Sequence, residues 1–389
     1  MMKTYKRELD KQVGDHFDRY RQALLLLGAR QVGKTTLLKR LYPDALYLLI
    51  DEKVNRTALE SFDSVTYKNL LADTEMVVLD EVHLLSDPGR AVKIIYDQFP
   101  GLKIAVTGSS SLQIKNRTGE SMAGRVITYS MYPLTFGEYI YQLGAVDELK
   151  TLILPKILNR DPNTSFARFD IQQMLETILI YGQYPEIINT PRDQRYLKDL
   201  ADRAIFKDII ELSLIDDRAK ATDLLRALAY QVGNLISYSE LARKVGLSQA
   251  TVRRYIEIFE QSFIIYRLYP FSRNKRNEIG RMPKIYFWDL GLRNALIRNF
   301  QPLNIRDDAG AMFENFIISE VKKAIAYGDL NYQVNYWRTK NGSEVDLVLS
   351  SVDELLAVEI KLSKGSVTPA FTRRYPEANT HVVTAANFF

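Results

Sequence analysis

The sequence predicts an α/β fold: a doubly wound parallel sheet with a helical lid, followed by a winged helix-turn-helix and a small second α/β domain. Three observations lead to this prediction. Short apolar runs alternate with helical segments up to about residue 140, a glycine-rich turn follows the first run, and strand patterns return only after residue 262. An open sheet of this kind places its ligands at the carboxyl ends of its strands.

Five apolar runs are the candidate strands of the first sheet: residues 23–27, 46–50, 76–79, 102–106 and 126–131. Between the first run and a helical segment at residues 36–41 lies Gly28-Ala29-Arg30-Gln31-Val32-Gly33-Lys34-Thr35. This turn has the spacing of a Walker A loop, G-x-x-x-x-G-K-[ST], in the strand–turn–helix setting that such a loop requires. The sequence therefore predicts a P-loop NTPase domain over residues 1–140.

The residue types of this loop suit a nucleoside triphosphate. Its glycines let backbone N–H groups surround the phosphates at the amino end of the helix. Lys34 can reach the β- and γ-phosphates as a catalytic cation, and the Thr35 hydroxyl can hold Mg²⁺. We expect ATP and Mg²⁺ as cofactors, with the nucleotide bound by Gly28, Ala29, Arg30, Gln31, Val32, Gly33, Lys34, Thr35 and Thr36.

Two carboxylates end the third apolar run, about 45 residues after the loop. Asp80 is expected to hold Mg²⁺, directly or through water, as a Walker B aspartate. Glu81 is expected to polarise the attacking water, which suits a carboxylate that is ionised at neutral pH. Together the two motifs predict ATP hydrolysis.

Further polar residues follow the fourth run and precede the fifth. Thr107 or Ser109 could sense the γ-phosphate, and the alternative is that these residues form a simple Ser/Gly loop without a sensing role. Arg125 is a candidate arginine finger or sensor, acting in cis or in trans, against the alternative of a solvated surface residue. His83, beside the acidic pair, is assigned no role.

The composition excludes several classes of site. The chain has no cysteine and only three histidines, which excludes disulfides and thiolate metal sites and argues against structural zinc. No apolar run approaches the roughly 18 residues that span a bilayer, and residues 1–12 lack the apolar core of a signal peptide. We therefore expect a cytoplasmic protein with no membrane partner. The net charge of +5 favours an anionic partner.

The middle of the chain changes character twice. Residues 141–230 carry apolar side chains at helical spacing and are predicted to form the helical lid. Residues 231–300 fit a winged helix-turn-helix, with Ser239 capping the first helix and Ser248 capping the second, at 249–257.

Two expected strands, at residues 263–271 and 284–288, enclose a basic loop that would form the wing and includes Arg273, Lys275 and Arg276. From residue 264 to 298, eight Lys/Arg stand against two acidic residues. This charge favours contact of residues 243–281 with the phosphates of double-stranded DNA. Winged helices also dock on proteins, so a protein partner is the alternative. Oligomerisation is possible, and no motif decides it.

Residues 301–389 carry a second set of chemical groups. A hairpin is expected at residues 334–349, and a third strand at 356–361. Asp346, Glu359 and Lys361 would converge as the D…E-x-K pattern of PD-(D/E)XK nucleases, with the two carboxylates holding Mg²⁺ for phosphodiester cleavage. Glu314, on the preceding helix, could add another acid. Against cleavage, this segment has eleven acidic residues and nine basic ones.

These motifs together resemble a family of bacterial and archaeal AAA-type P-loop ATPases that carry a C-terminal domain of unknown function. The resemblance rests on residues 28–38, 79–81, 108–111, 124–125, 132–138, 182–186, 207–209, 283–292, 313–315, 342–346 and 358–361. It covers nearly the whole chain, and Gln183 departs from it where a second glycine is expected. The resemblance implies a nucleotide-sensing role for Arg125 and supports the winged-helix and nuclease-like predictions.

Three functions follow from these predictions. The first is an ATP-hydrolysing switch whose closure on the helical lid repositions the winged-helix and nuclease-like domains on DNA. The second is an ATP-gated signalling or scaffold protein that binds protein partners and has a catalytically inert nuclease fold. The third is an active Mg²⁺ nuclease controlled by the ATPase.

Overall fold

The computed structural model describes residues 5–109, 122–158, 170–211, 215–273 and 282–389, with the backbone alone at 203–211. The chain forms two compact units. The first comprises Met1–Pro133 with Phe206–Leu214 and Gln261–Phe263, and the second comprises Leu134–Ile205, Ile215–Glu260 and Ile264–Phe389. The predicted lid segment is helical, but most of it belongs to the second unit, together with the C-terminal strands. Its action as a lid stays a prediction.

The first unit is built on a parallel five-stranded sheet in the order β2-β3-β4-β1-β5. The strands are β1 Ala23–Gly28, β2 Leu46–Leu49, β3 Met76–Asp80, β4 Lys103–Gly108 and β5 Val126–Met131. All of β1 is buried, which explains its unbroken apolar sequence. The predicted parallel sheet is confirmed, with strand ends shifted by one or two residues.

Short helices connect these strands: α1 Asp10–Gly14, α2 His16–Arg19, α3 Lys34–Leu41, α4 Lys53–Glu60, α5 Ser64–Leu70 and α6 Pro88–Gln98. Asp63 and Asp87 cap α5 and α6 by accepting hydrogen bonds from the N–H groups of Thr66 and Arg90. A short 3₁₀ turn, Val82–Leu84, follows β3. These connections return the chain to the sheet so that the carboxyl ends of β1, β3 and β4 lie side by side.

Among the described residues between β5 and residue 261, the regular elements are helices: α7 Phe136–Gln142, α8 Ile153–Ile157, α9 Ile171–Tyr181, α10 Pro185–Asn189, α11 Gln194–Glu211, α12 Arg218–Tyr230, α13 Tyr238–Val245 and α14 Gln249–Gln261. The antiparallel pair β6 Ile265–Leu268 and β7 Lys284–Phe287 comes next, then α15 Leu290–Ile297, a 3₁₀ turn at Leu303–Ile305 and α16 Ala309–Gly328. Asn294 ties α9 to α15 through hydrogen bonds to the carbonyls of Leu179 and Ile180.

The last strands form a second sheet in the order β11-β10-β9-β8. They are β8 Gln333–Arg338, β9 Glu344–Ser350, β10 Leu355–Ile360 and β11 Asn379–Val383, with α17 Pro369–Arg374 before β11. The β8–β9 and β9–β10 pairs are antiparallel, and β10 and β11 are parallel. The predicted hairpin and third strand are therefore present, and β11 extends the sheet beyond them.

The two helices predicted for the helix–turn–helix are present as α13 and α14, with one corrected cap, and the winged-helix assignment stays a prediction. Ser237, not Ser239, accepts the hydrogen bond from Glu240 N, because α13 begins at Tyr238. Gly246 adopts φ +65° in the turn, a conformation that favours glycine. Ser248 accepts a hydrogen bond from Thr251 N, as expected.

Gln183, at the position where a glycine is expected, belongs to a buried polar network. Gln183 Nε2 donates to Glu320 Oε1 (3.0 Å), and Lys323 Nζ donates to Glu320 Oε1 (2.9 Å) and to the carbonyl of Leu134 (2.9 Å). Phe136 N donates to the other oxygen of Glu320. The network therefore holds the first residues after Pro133 against α16 by polar contacts that have no access to water.

In the part of the chain that the structure describes, every helix is too short or too polar to cross a membrane.

Candidate nucleotide-binding site

The phosphate-binding loop is shaped by two glycines. Gly33 adopts φ +100° immediately before α3, a conformation that L side chains rarely adopt. At Gly28 a Cβ atom would lie 2.1 Å from the carbonyl oxygen of Met131 in β5. The loop therefore requires glycine at both positions, at the first for packing and at the second for its backbone angle.

Lys34 lies inside this loop. Its ammonium donates hydrogen bonds to the carbonyls of Gly28 (2.9 Å) and Ala29 (3.1 Å), and the residue is 4% exposed. A buried cation at the amino end of a helix creates a site for anions. The loop therefore has the shape and charge that a phosphate chain requires.

The predicted magnesium ligands are in contact. Thr35 Oγ1 donates to Asp80 Oδ2 over 2.9 Å, although 45 residues separate them in sequence. Thr107 Oγ1 donates to the other oxygen of Asp80 and accepts a hydrogen bond from Glu81 N (2.9 Å). One of the two sensor candidates thus lies beside both acidic residues, where it orients Asp80.

Glu81 has the properties of an ionised base. Burial opposes its ionisation, but the charge of Lys34, the contact with the His83 ring and the charge of Arg30 outweigh burial and lower its pKa to about 2. Its backbone is left-handed, with φ +62°. Within the described residues its buried Oε2 makes no hydrogen bond of normal geometry, and it lies 3.1 Å from His83 Nδ1. An unsatisfied buried oxygen at this point fits a site that receives a polar ligand.

A cleft of about 310 Å³ opens beside these groups. This volume is at the lower end of the range for ligand sites. Its lining is Arg30, Thr35, Lys39, Tyr47, Leu49, Asp51, Asp80, Glu81, His83 and Leu84. The site fits a magnesium–nucleotide complex. The loop supplies hydrogen-bond donors for the phosphates, and the hydroxyl of Thr35 and the carboxylate of Asp80 supply oxygen ligands for Mg²⁺.

Arg125 does not join this group, which corrects the expectation of a finger acting in cis. Its carbonyl accepts a hydrogen bond from Ala23 N, so it lies at the amino end of β1, whereas the loop lies at the carboxyl end. Its guanidinium binds Asp97 through Nε (2.8 Å) and Nη2 (3.0 Å). The position just before β5 places Arg125 at the wrong edge of a parallel sheet.

Sequence analysis assigned no role to three residues near the loop. Arg7 is buried and donates to the carbonyls of Val32 (2.8 Å) and Tyr132 (2.7 Å). Tyr47 on β2 donates to the carbonyl of Thr35. His83 contacts Glu81 and lies 3.2 Å from Ser109, the other sensor candidate. For His83, the only available signal was its place two residues after the acidic pair.

The residues of the predicted nuclease motif also meet. Lys361 Nζ is 2.8 Å from both Asp346 Oδ2 and Glu359 Oε1, and Ile360 N donates to Asp346 Oδ2. Burial raises the pKa of Glu359. For Lys361 burial acts in the opposite direction, but its bonds to the two carboxylates outweigh burial and raise its pKa. The three side chains form one ion cluster, with Asp346 on β9, Glu359 on β10 and Lys361 directly after β10.

Glu314 lies next to this cluster, and residues of β7 and β9 surround it. Lys284 Nζ contacts Glu314 Oε1 (3.1 Å) and Glu344 Oε1 (2.5 Å), and the Tyr286 hydroxyl donates to Glu314. Burial raises the pKa of Glu314, and the charge of Lys284 opposes this shift. Lys284 and Tyr286 were not predicted as members of the site. Across the described ranges, no three His, Cys, Asp or Glu residues are arranged to hold a metal ion.

The helix–turn–helix presents basic side chains that are partly engaged. The Arg253 guanidinium lies 3.9 Å from the centre of the Tyr238 ring, Arg254 forms an ion pair with Asp216, and Arg243 is exposed. Arg273, at the start of the predicted wing, pairs with Glu377. Lys275 and Arg276 lie outside the described residues.

Three family profiles match parts of the chain. Residues 20–140 match an AAA domain, residues 172–303 a domain of unknown function (DUF8612) and residues 309–387 a domain of unknown function (DUF4143). The first part of the chain is therefore an AAA-type P-loop domain. The C-terminal match is consistent with the resemblance stated from the sequence.

Relatives share most of the chain at low identity. An uncharacterized protein of Methanocaldococcus jannaschii is 26% identical over 372 residues, which cover 89% of this chain and 76% of that protein. An uncharacterized protein of Mycobacterium tuberculosis is 26% identical over 357 residues, covering 90% and 72%. A Walker-type ATPase of Pyrococcus abyssi of known structure is 14% identical, with a TM-score of 0.45, and the match covers 76% of this chain and 99% of that chain.

Proposed function

We propose that this protein binds ATP with Mg²⁺ at the first site and hydrolyses it. The observation that carries the proposal is Glu81, an ionised carboxylate with an unsatisfied buried oxygen, beside the contact between Thr35 and Asp80. Lys34 would exchange its hydrogen bonds to the loop carbonyls for bonds to the β- and γ-phosphates. Glu81 would orient the attacking water and accept its proton.

When Mg²⁺ is bound, it neutralises part of the negative charge of the phosphates. Thr35 and Asp80 are the residues that would hold it, and their mutual hydrogen bond already places both oxygens on one side of the loop. Thr107 would keep the carboxylate of Asp80 in a single orientation, since it donates to the oxygen that Thr35 does not use.

Nucleotide binding and ATP hydrolysis measured together test this proposal. Lys34→Ala should weaken binding of a fluorescent ATP analogue and abolish hydrolysis, because it removes the buried ammonium. Lys68→Ala removes an exposed lysine on α5 and serves as the matched control, with both properties expected to be unchanged. Equal binding and hydrolysis by wild type and Lys34→Ala would refute the proposal.

A second candidate function is action on double-stranded DNA. It is favoured by the exposed basic side chains of the helix–turn–helix, since Arg243, Lys244 and Arg253 all reach solvent. Such side chains contact phosphates and make binding depend strongly on salt. The rival is a signalling or scaffold role, in which the same helices bind a protein.

Fluorescence anisotropy with a labelled duplex at several salt concentrations separates these candidates. Changing Arg243, Lys244 and Arg253 to glutamine should weaken binding and lower the slope of log affinity against log salt by about one for each lost phosphate contact. Lys340→Gln with Lys364→Gln, on exposed lysines of the C-terminal part, should change neither value. No affinity of wild type for DNA at moderate salt would favour a protein partner.

Cleavage of DNA by the C-terminal cluster is the finer form of this second candidate. It is supported by Asp346, Glu359 and Lys361 lying within one ion cluster. Plasmid nicking in Mg²⁺ should be lost in Asp346→Asn and kept in Asp353→Asn, which changes an exposed aspartate nearby. Equal and negligible cutting by wild type and Asp346→Asn, on DNA and RNA, would leave the cluster as an inert nuclease fold.

A further inference from the structure

His83 connects the candidate catalytic carboxylate to the end of the neighbouring strand. The 3₁₀ turn after β3 brings its ring back towards the sheet, and the residue is 3% exposed. Nδ1 lies 3.1 Å from Glu81 Oε2, and Nε2 lies 3.2 Å from Ser109 Oγ. The side chains therefore form a continuous Ser109–His83–Glu81 series.

The two contacts differ in quality. The contact to Ser109 is a hydrogen bond, whereas Nδ1 and Oε2 are close but not aligned as one, and neither atom has another hydrogen-bond partner within the described residues. With the ring proton on Nδ1, the neutral imidazole turns its N–H side to Glu81, and its Nε2 accepts a hydrogen bond from the Ser109 hydroxyl. Glu81 is then held near the ring while it keeps lone-pair capacity for water.

Thr107 of β4 and Ser109, which follows β4, act on the two ends of Glu81. Its backbone N–H donates to Thr107 Oγ1 (2.9 Å), and its carboxylate faces the ring that Ser109 holds. The backbone of Glu81 is left-handed, an uncommon conformation for a residue with a side chain, and Glu81 lines the cleft. A displacement of the carboxyl end of β4 would therefore move the carboxylate directly.

We infer that His83 is a positioning residue for Glu81 and that Ser109 acts through it, so that the state of the β4 carboxyl end sets the rate of hydrolysis. This inference rests on the proposed ATPase function. Ser109 is not a nucleophile in this arrangement, because it is 2% exposed and its hydroxyl is occupied by His83.

Substitutions that copy one ring nitrogen at a time test the inference. The amide of His83→Asn can occupy the place of Nδ1, and that of His83→Gln the place of Nε2. We expect His83→Gln and His83→Ala to lower kcat by about ten- to a hundredfold. His83→Asn keeps the contact to Glu81 but loses the contact to Ser109, so it should lower kcat only as much as Ser109→Ala does. The KM for ATP and the affinity for an ATP analogue should stay within about twofold, because the loop itself is unchanged.

A double-mutant cycle gives the second readout. Ser109→Ala should lower kcat in the wild-type background and have little further effect in His83→Ala, because the two residues act in series. Thermal unfolding of every variant separates misfolding from misplacement of Glu81. The inference would be overturned if Ser109→Ala lowered kcat by the same factor in the wild-type and the His83→Ala backgrounds, or if His83→Ala left kcat unchanged. Neither result would contradict ATP hydrolysis by wild type. Absence of hydrolysis by wild type would instead defeat the proposed function.

Discussion

Thr35 Oγ1 donates a hydrogen bond to Asp80 Oδ2 over 2.9 Å, which joins the start of α3 to the end of β3. These are the two positions that the sequence predicts as magnesium ligands. Their contact follows from topology, because β3 and β1 are both neighbours of β4 in one parallel sheet and their carboxyl ends face the same edge. Two motifs that are distant in sequence therefore become one site.

Substitution of Thr35 tests whether its hydroxyl is needed. Thr35→Val keeps the shape of the side chain and removes the oxygen, so we expect a loss of Mg²⁺-dependent hydrolysis of about a hundredfold or more. Thr35→Ser keeps the hydroxyl and should retain most of the activity. The check is the rate as a function of Mg²⁺ concentration, and equal curves for the two variants would count against a metal-binding role.

Gly28→Ala should destabilise the first unit. The new Cβ would lie 2.1 Å from Met131 O, so β1 and β5 must move apart, at a cost of about 2 kcal/mol or more in the free energy of unfolding. Gly14→Ala is the control, because its Cβ would have ordinary contact, 3.9 Å from Leu41. Thermal unfolding compares the variants, and equal midpoints would contradict the close approach.

Much of the first site could be predicted because local sequence determines it. An unbroken apolar run, two glycines and a Lys-Thr pair specify a buried strand, a turn and a helix without help from distant residues. The edge on which Arg125 lies depends on where β5 starts relative to β1. Its short distance in sequence from β5 therefore could not reveal its function.

Long-range polar contacts could not be predicted either, because they join residues that are distant in sequence. Arg7 lies 25 residues from Val32 and 125 from Tyr132, and no local pattern marks an arginine that binds carbonyls. Lys284 was counted as part of a basic surface, yet it is buried against Glu314. The D…E-x-K cluster could be predicted because Asp346 and Glu359 lie on consecutive strands of the sequence, and such strands pair with each other.

The lowered pKa of Glu81 predicts a pH-dependent contribution to stability. With a folded-state pKa of about 2, below the ordinary 4.5, the carboxylate stabilises the fold fully above about pH 4.5. This contribution is lost as the pH falls from 4.5 towards 2. The difference in unfolding free energy between wild type and Glu81→Gln should therefore shrink over that window, by an amount on the order of 1–3 kcal/mol.

Lys34→Ala supplies the control for this titration, because the charge of Lys34 is the largest influence that lowers the pKa of Glu81. In that background the same comparison of glutamate and glutamine should change less with pH. Denaturant unfolding at several pH values measures both differences. A difference between wild type and Glu81→Gln that is constant from about pH 5 to pH 3 would contradict the assignment.

Substitution of two neighbouring lysines on α16 should have very different effects on stability. Lys323→Met leaves Glu320 as an unpaired buried carboxylate and should cost about 3–5 kcal/mol of stability. Burial lowers the pKa of Lys322, which disfavours its charged form, so Lys322→Met should cost less than about 1 kcal/mol or stabilise the fold. Thermal unfolding of both variants decides this point, and a loss for Lys323→Met as small as that expected for Lys322→Met would show that the network around Gln183 contributes little.

Arg125→Ala should barely change hydrolysis. The guanidinium lies at the amino end of β1 and pairs with Asp97 at the surface, so its removal should alter kcat less than twofold and leave the thermal unfolding midpoint nearly unchanged. The rate should be measured over a range of protein concentrations. A loss of about a thousandfold would instead reveal an arginine finger supplied by a second copy of the chain.

The most direct test of the account is ATP hydrolysis by wild type and Glu81→Gln at saturating Mg²⁺ and ATP, with nucleotide affinity measured on the same samples. Glutamine keeps the size of the side chain and removes the ionised base, so the account predicts unchanged affinity and a loss of kcat of at least about a hundredfold. Hydrolysis by Glu81→Gln at the wild-type rate would contradict the role assigned to Glu81.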